Sequence, residues 1–220
     1  MGNRRAPALM QLHFQCHGHG FPLLILHGLL GSSDNWQPLA RRFAAHLRVF
    51  TVDLRNHGRS PHDTAMDYPT LAKDLEKFID DHRLTKVHLL GHSLGGKVAM
   101  QLALSSPASV EKLIVVDIAP KTYSARHEHI VEALLALDLK RYHRRREIED
   151  ALARDIPDHA VRQFLLKNLA HDEHGAFRWK ANLPAIRNHT DEFRHSPPAK
   201  GTYAGPALFL RGDQSDYIQE

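Results

Sequence analysis

The residues best suited to chemistry are Gly91-His92-Ser93-Leu94-Gly95, in which a serine is flanked on each side, two residues away, by a glycine. Residues 86–90 form a short apolar run that predicts a buried strand, and residues 96–104 predict a buried helix. A strand that turns so abruptly into a helix is strained, and side chains at the flanking glycine positions would collide with either element. The pattern therefore predicts Ser93 as a nucleophile raised above the edge of a sheet.

A second glycine-rich segment offers what an attacking serine needs. The negative charge of a tetrahedral intermediate is usually stabilised by two backbone N–H groups. Gly28 lies in such a loop directly after the predicted strand 22–26, and His27 is expected to order that loop. We expect the N–H groups of Leu29 and Leu94 to form the oxyanion hole, although an ordinary strand-end turn is the alternative. The side chain of His92 is expected to point away from that of Ser93.

Composition limits the classes of function. With 220 residues, of which 42% are hydrophobic and 25% charged, the chain suits one domain with an insertion. The net charge of +4 permits weak attraction to acidic partners, and the basic run 140–146 reads first as a solvated helix face. Contact of that run with an anionic substrate such as a CoA nucleotide, or with nucleic acid, is the alternative. No nucleic-acid-binding motif is present, so we expect no such partner.

The 18 histidines raise the question of a metal, because sets such as 127–129 and 171–174 combine histidine with acidic residues. Neither set has the helical His-Glu-x-x-His spacing of a catalytic zinc site. We therefore expect no metal and no cofactor. No stretch approaches the ~18 apolar residues of a membrane span, and Gln11 and His13 interrupt the apolar run that follows Arg4-Arg5. The sequence predicts a cytoplasmic protein without a membrane partner.

Strands and helices alternate along most of the chain. Strands are predicted at 9–15, 22–26, 48–52, 113–116 and 205–210, besides the one before Ser93, with helices at 36–46 and from Pro69 onward. This rhythm predicts an α/β fold with a mostly parallel, doubly wound sheet. It breaks between 121 and 200, where the sequence is helical and charged. We expect a core of residues 1–120 and 201–220 and an inserted helical cap of residues 121–200.

These motifs together resemble the α/β-hydrolase superfamily, and more narrowly the YbfF-like esterases. The resemblance is carried by residues 27–32, 53–60, 91–97, 116–120 and 163–167. It implies Ser93 as the nucleophile and Asp117 as the acid of a catalytic triad. Where the acid instead follows the next strand, as in many members, the chain offers Asp213 and Asp216. Asp53 is expected to hold the loop 55–60 by accepting backbone hydrogen bonds, and Arg55 and His57 could reach the pocket rim.

The chain departs from the family in one respect. In these enzymes the general base is a histidine that follows the last strand, and the spacing would put it beyond Glu220. A serine hydroxyl is a poor nucleophile without a base. Either the sequence is a truncated hydrolase that lacks the last strand and helix, or it is a pseudoenzyme that binds a ligand. Truncation would leave an apolar strand edge without its partner, so we expect weak stability, self-association through that edge and very poor hydrolysis of aryl esters.

The expected function is hydrolysis of a carboxylic ester, or of a thioester, through an acyl-enzyme on Ser93. Hydrolases of C–C bonds and cofactor-free perhydrolases share the same constellation of residues. The alternative from another class is a catalytically dead protein that binds a small molecule in the same pocket.

Overall fold

A computed structural model describes residues 10–124, 128–215 and 217–218. Its strands are β1 (Phe14–His17), β2 (Pro22–Leu26), β3 (Arg48–Val52), β4 (Val87–His92), β5 (Val110–Val116), β6 (Leu169–His171), β7 (Phe177–Trp179) and β8 (Ala207–Leu210). Its helices are α1 (Gln37–Phe43), α2 (Tyr68–Asp81), α3 (Leu94–Ser105), α4 (Glu128–Ala136), α5 (Arg145–Leu152), α6 (His159–Leu165) and α7 (Leu183–Arg194).

Six strands form the central sheet in the order β1-β3-β2-β4-β5-β8. All neighbouring pairs are parallel except β1 with β3, which is antiparallel. The mostly parallel sheet predicted from the sequence is therefore confirmed. Parallel strands end at one edge of a sheet, so the loops that follow β2, β4 and β5 meet there.

Helices cover the sheet unequally. Apolar side chains of α2 and α3, such as Leu71, Leu75 and Val98, pack in the main core with the strands. On the other face, Ala40 of α1 packs with Leu23 and Leu90 in a smaller cluster. The larger of the two apolar clusters therefore lies between the sheet and α3, the helix that follows Ser93, and holds that helix in place.

Two predicted boundaries near the start of the fold were wrong. The first strand begins at Phe14, because the preceding residues are held by side chains instead of a neighbouring strand: Met10 N–H donates to Asp74 and His13 N–H to Ser60. The first helix ends at Phe43, three residues early, and the chain continues as turns toward β3. Neither change moves the edge at which Ser93 lies.

Between β5 and β8 lie the four helices α4 to α7 and an antiparallel ribbon of β6 and β7. The indole N–H of Trp179 in the ribbon donates to the carbonyl of Leu134 in α4 at 3.2 Å. Apolar side chains of this segment, including Leu134 and Leu165, pack in the main core cluster. Its assignment as a cap over the active site stays a prediction. Over the described residues, no helix is long and apolar enough to cross a membrane.

Candidate active site

Ser93 lies at the strained corner between β4 and α3. Its backbone has φ 51° and ψ −117°, in the region that favours glycine, and its N–H donates to the carbonyl of Val116 at 3.0 Å. A side chain at Gly91 would collide with the backbone of Gly95, and one at Gly95 with the carbonyls that end β2. The steric expectation for both glycines is confirmed. The serine side chain itself remains partly exposed.

Asp117 follows β5, the strand next to β4, and its predecessor Val116 pairs with His92. It too has a positive φ, of 55°, and its N–H donates to the carbonyl of Leu210 at 2.8 Å. Its carboxylate accepts hydrogen bonds from the Ser215 hydroxyl, at 2.8 Å, and from the Gly212 N–H, at 3.3 Å. These bonds leave the carboxylate fixed one strand away from Ser93.

The alternative acids differ in placement. Asp213 is exposed, and it lines neither of the two cavities that border Ser93. Asp216 lies outside the described residues. Position therefore favours Asp117, and its catalytic role stays our prediction.

The loop after β2 is a tight turn, closed by the Gly31 N–H donating to the Gly28 carbonyl at 2.9 Å. Leu30, inside the turn, has φ 58°, which is strained for a residue with a side chain. Two buried side chains hold it from opposite sides. Its N–H donates to Nε2 of His57 at 3.1 Å, and its carbonyl accepts from Nδ2 of Asn168 at 2.6 Å.

The predicted oxyanion donors are both available. Leu94 is the first residue of α3, where an N–H has no partner within the helix. Among the described residues, no hydrogen bond uses the N–H of Leu29 or of Leu94. Both residues border the space in front of Ser93. The arrangement is suited to a negative oxygen.

His27 and His57 form a buried pair beneath this loop, with ring centroids 4.9 Å apart. Each ring accepts a backbone N–H at Nε2 and donates from Nδ1 to a carbonyl; His27 bonds Leu54 and Gly28 in this way. Burial lowers the pKa of both, that of His57 to about 3, so both rings stay neutral. The pair acts as a fixed support of the loop.

The expectation that Arg55 and His57 could reach the pocket rim was wrong. Both are fully buried, and the Arg55 guanidinium forms a bidentate pair with Asp74 at 2.5 and 2.6 Å. The structural role of Asp53 is confirmed, since its carboxylate accepts the N–H groups of Ser33 and Arg59. Burial alone would raise the pKa of Asp53, but these hydrogen bonds keep it below its usual value.

The expectation that the side chain of His92 points away from that of Ser93 stays a prediction. The His92 side chain borders the same cavity as Ser93, and a Cβ added at Gly28 would lie 2.9 Å from its Nδ1 and 3.3 Å from the Ser93 Cβ. Burial lowers the pKa of His92, against the opposing charge of Asp117. This position also explains why residue 28 has no side chain.

Two cavities meet at Ser93, and both are also bordered by Leu29 and Tyr217. We call them the narrow and the wide cavity. The narrow cavity, of about 50 Å³, is lined mainly by residues of α3, α7 and the segment after β5: Leu94, Lys97, Ile118, Tyr123, Thr190 and Phe193. The wide cavity, of about 550 Å³, contains Asp117 and His92 and an apolar wall formed by Trp36, Leu39, Ile130, Val161, Phe164 and Leu165.

Lys97 fixes one wall of the narrow cavity. Its ammonium donates to the carbonyls of Phe193, Arg194 and His195, at 3.1, 2.8 and 2.6 Å, where α7 ends. A cation is favourable at the C-terminal end of a helix, where carbonyls lack partners. Burial lowers the pKa of Lys97 to about 8. These hydrogen bonds join α3 to the end of α7.

Sequence reasoning missed the roles of His57, Asn168 and Lys97. Each acts on a backbone group far along the chain: Asn168 is 138 residues from Leu30, and Lys97 is 96 residues from Phe193. No local pattern in the sequence marks such pairs. The only available signal was a polar residue within an apolar segment, as with Lys97 in the helix after Ser93.

The described residues lack both a cluster of metal ligands and a histidine hydrogen-bonded to Ser93. They contain no cluster of three or more His, Cys, Asp or Glu that could hold a metal ion. Within the same residues, no histidine is hydrogen-bonded to the Ser93 hydroxyl. The roles of Ser93 as nucleophile, of Asp117 as acid and of the Leu29 and Leu94 N–H groups as oxyanion hole therefore stay predictions, and no general base is assigned among these residues.

Comparison with known proteins agrees with this fold. Residues 22–158 match the family model of the alpha/beta hydrolase fold. The chain belongs to this family. A solved structure described as a marine microorganism esterase superposes with a TM-score of 0.93 at 41% identity, covering 96% of this chain and 84% of that one.

Curated relatives narrow the class further. The sn-1-specific diacylglycerol lipase ABHD11 of Danio rerio is 41% identical over 213 residues, which are 93% of this chain and 67% of that protein. Esterase YbfF of Escherichia coli (strain K12) is 35% identical over 205 residues, covering 90% of this chain and 76% of the esterase. The chain spans about two thirds of the length of the lipases it matches. It is a member of the carboxylesterase-type hydrolases and resembles the YbfF-like esterases.

Proposed function

We propose that this protein hydrolyses a small-molecule carboxylic ester or thioester through an acyl-enzyme on Ser93. The observation that carries the proposal is the position of the strained Ser93 where two cavities meet. The fixed carboxylate of Asp117 borders the wide cavity, and the unpaired N–H groups of Leu29 and Leu94 border the narrow one. Esters are the substrates named for its relatives, which supports this reaction class.

In this mechanism the Ser93 oxygen attacks the substrate carbonyl carbon and gives its proton to a general base. The carbonyl oxygen becomes negative and is stabilised by the two N–H groups. The intermediate collapses, the alcohol or thiol leaves with the proton, and the acyl group stays on Ser93. Water, activated by the same base, then releases the carboxylic acid. Asp117 would orient the base and stabilise its charged form.

The base is the member that the described residues do not supply. That gap supports a second candidate function, in which the chain binds a small molecule in the two cavities without turnover. The two functions differ in the reactivity of Ser93, because a passive binder has no reason to activate a hydroxyl.

Labelling with a fluorophosphonate separates the two. We expect the probe to attach stoichiometrically to wild-type protein, as measured by intact mass, and not to Ser93→Ala. Ser105→Ala is the matched control, since Ser105 is exposed at the far end of the same helix. Aryl-ester hydrolysis, which we expect to be very poor in this chain, should follow the same order. An unlabelled wild-type protein that still binds ligand would favour the binding function.

We propose a small molecule as the partner, and the cytoplasm is the expected location. Binding of nucleic acid is not expected. Self-association is proposed from the exposed strand β8.

A further inference from the structure

Ser93 stands at the junction of two cavities that differ about tenfold in volume, about 50 Å³ on one side and about 550 Å³ on the other. An ester likewise has two parts, an acyl group and an alcohol, which extend in different directions from the attacked carbon. The question is which part enters which cavity. The answer determines the substrate class.

The positions of the predicted site residues decide the orientation. The carbonyl oxygen must lie between the N–H groups of Leu29 and Leu94, and Leu94 borders the narrow cavity alone. The leaving alcohol must receive a proton from the base that Asp117 orients, and Asp117 borders the wide cavity alone. The acyl chain therefore continues into the narrow cavity, and the alcohol or thiol projects into the wide one.

The narrow cavity limits the acyl group. One water-sized group needs about 10–15 Å³ of cavity volume. The narrow cavity, of about 50 Å³, therefore holds roughly three to five groups of that size. Its wall is apolar where Ile118, Tyr123 and Phe193 lie. The three donors of Lys97 hold the end of α7 in place, which opposes widening of the cavity.

The wide cavity has the opposite character. Its volume of about 550 Å³ has to hold the base that Asp117 orients as well as the leaving group, and its apolar wall, which includes Trp36, Val161 and Phe164, suits a bulky apolar leaving group. We infer that the enzyme prefers esters of short acyl groups, of about two to five carbons, with large apolar alcohols or thiols, and that Phe193 sets the acyl limit. This inference rests on the proposed function of Ser93.

Two matched substitutions test the assignment, because each cavity contains one partly buried phenylalanine. Phe193→Ala enlarges the narrow cavity and Phe164→Ala the wide one. The substrates are p-nitrophenyl esters from acetate to decanoate, which vary the acyl group, and acetate esters of ethyl, phenyl and naphthyl alcohols, which vary the leaving group. The measurement is kcat/KM across both series.

For the wild-type protein we expect kcat/KM for butyrate to exceed that for octanoate at least tenfold. Phe193→Ala should move the acyl optimum two to four carbons longer and leave the alcohol preference unchanged. Phe164→Ala should change the alcohol preference alone. Phe193→Leu, with folding checked by thermal melting, gives a smaller shift in the same direction if the alanine variant does not fold.

Two results would overturn the inference while the proposed function stands: a wild-type optimum at octanoate or longer, or an acyl optimum that moves in Phe164→Ala and not in Phe193→Ala. Loss of hydrolysis in Ser93→Ala must accompany the measurement. Absence of any Ser93-dependent hydrolysis would overturn the proposed function and, with it, this inference.

Discussion

Backbone strain occurs at, or directly beside, three of the residues for which we propose chemistry. Of the five described residues other than glycine with positive φ, three are Leu30, Ser93 and Asp117. Such conformations cost of order 1–3 kcal/mol each and persist only where surrounding bonds enforce them. Here the enforcing bonds come from strand ends and buried side chains. The strain sets the direction in which each functional group points.

Asp117→Asn tests the acid. Asparagine tolerates a positive φ and can still accept from Ser215, so the variant should fold. Without the negative charge the base loses its partner, and we expect kcat to fall by about 10²- to 10⁴-fold, measured by ester hydrolysis. Asp213→Asn is the matched control and should keep its activity. The reverse pattern would identify Asp213 as the acid.

At the scale of elements, the oxyanion loop is held by two partners from different parts of the chain. His57 comes from the loop after β3, and Asn168 from the segment between β5 and β8. Both hold Leu30, the neighbour of the predicted donor Leu29. The orientation of the Leu29 N–H thus depends on how that inserted segment packs against the core.

Asn168→Ala should impair catalysis at a distance. It leaves the buried carbonyl of Leu30 without its donor, so the loop can relax and its N–H turn away. We expect kcat to fall roughly 10- to 100-fold with little change in KM, less than the roughly 10²- to 10³-fold loss of a whole donor. Ser106→Ala is the control, because the Ser106 hydroxyl also donates a side-chain hydrogen bond, to Glu76, at the end of α3 far from this loop. Equal loss in both variants would indicate a general effect on folding.

His57 should make stability depend on pH. Its pKa is about 3 in the folded protein, against about 6.5 when unfolded. Between these values the unfolded chain binds a proton that the folded chain does not. The free energy of unfolding is therefore fully retained above pH 6.5 and falls as the pH drops toward 3, by about 1.4 kcal/mol per pH unit for this one group.

Urea unfolding from pH 7 to 4.5 measures this effect in wild-type protein and in His57→Gln. Glutamine can accept the Leu30 N–H without titrating, so the pH slope should decrease by that amount. An unaltered slope in His57→Gln would contradict the assignment.

At the scale of the whole molecule, β8 is an apolar edge of the sheet. Among the described strands it pairs with β5 alone, and Leu208, Phe209 and Leu210 are 51%, 47% and 44% exposed. A strand edge with unpaired backbone groups and apolar side chains is a template for pairing with another chain. The edge strand predicted from the sequence therefore exposes three apolar side chains to which another chain could bind.

We expect this surface to drive self-association. Sedimentation velocity at increasing concentration should show a shift from monomer toward larger species for the wild-type chain. Leu208→Lys places a charge on the edge and should reduce association. Phe21→Lys is the matched control, since Phe21 is 41% exposed but precedes β2 in the interior of the sheet order. A strictly monomeric wild-type chain would refute the proposal.

The sequence by itself determined the parts that depend on neighbours along the chain. The serine corner, the glycine-rich loop after β2 and the alternation of strands and helices along the chain follow from local patterns of glycine and apolar residues, because each depends on a few consecutive positions. The same patterns predicted a buried helix after Ser93. The exact ends of β1 and α1 did not follow, since they depend on side chains such as Asp74 that lie far away in sequence.

Only the tertiary structure decided the rest of the site. In the folded chain His57 and Arg55 are buried, and Asn168 donates to Leu30. Lys97 donates to carbonyls at the end of α7, and the space at Ser93 is divided into two unequal cavities. These features join segments about 20 to 140 residues apart. The packing of the whole core determines them, and no window of the sequence contains both partners.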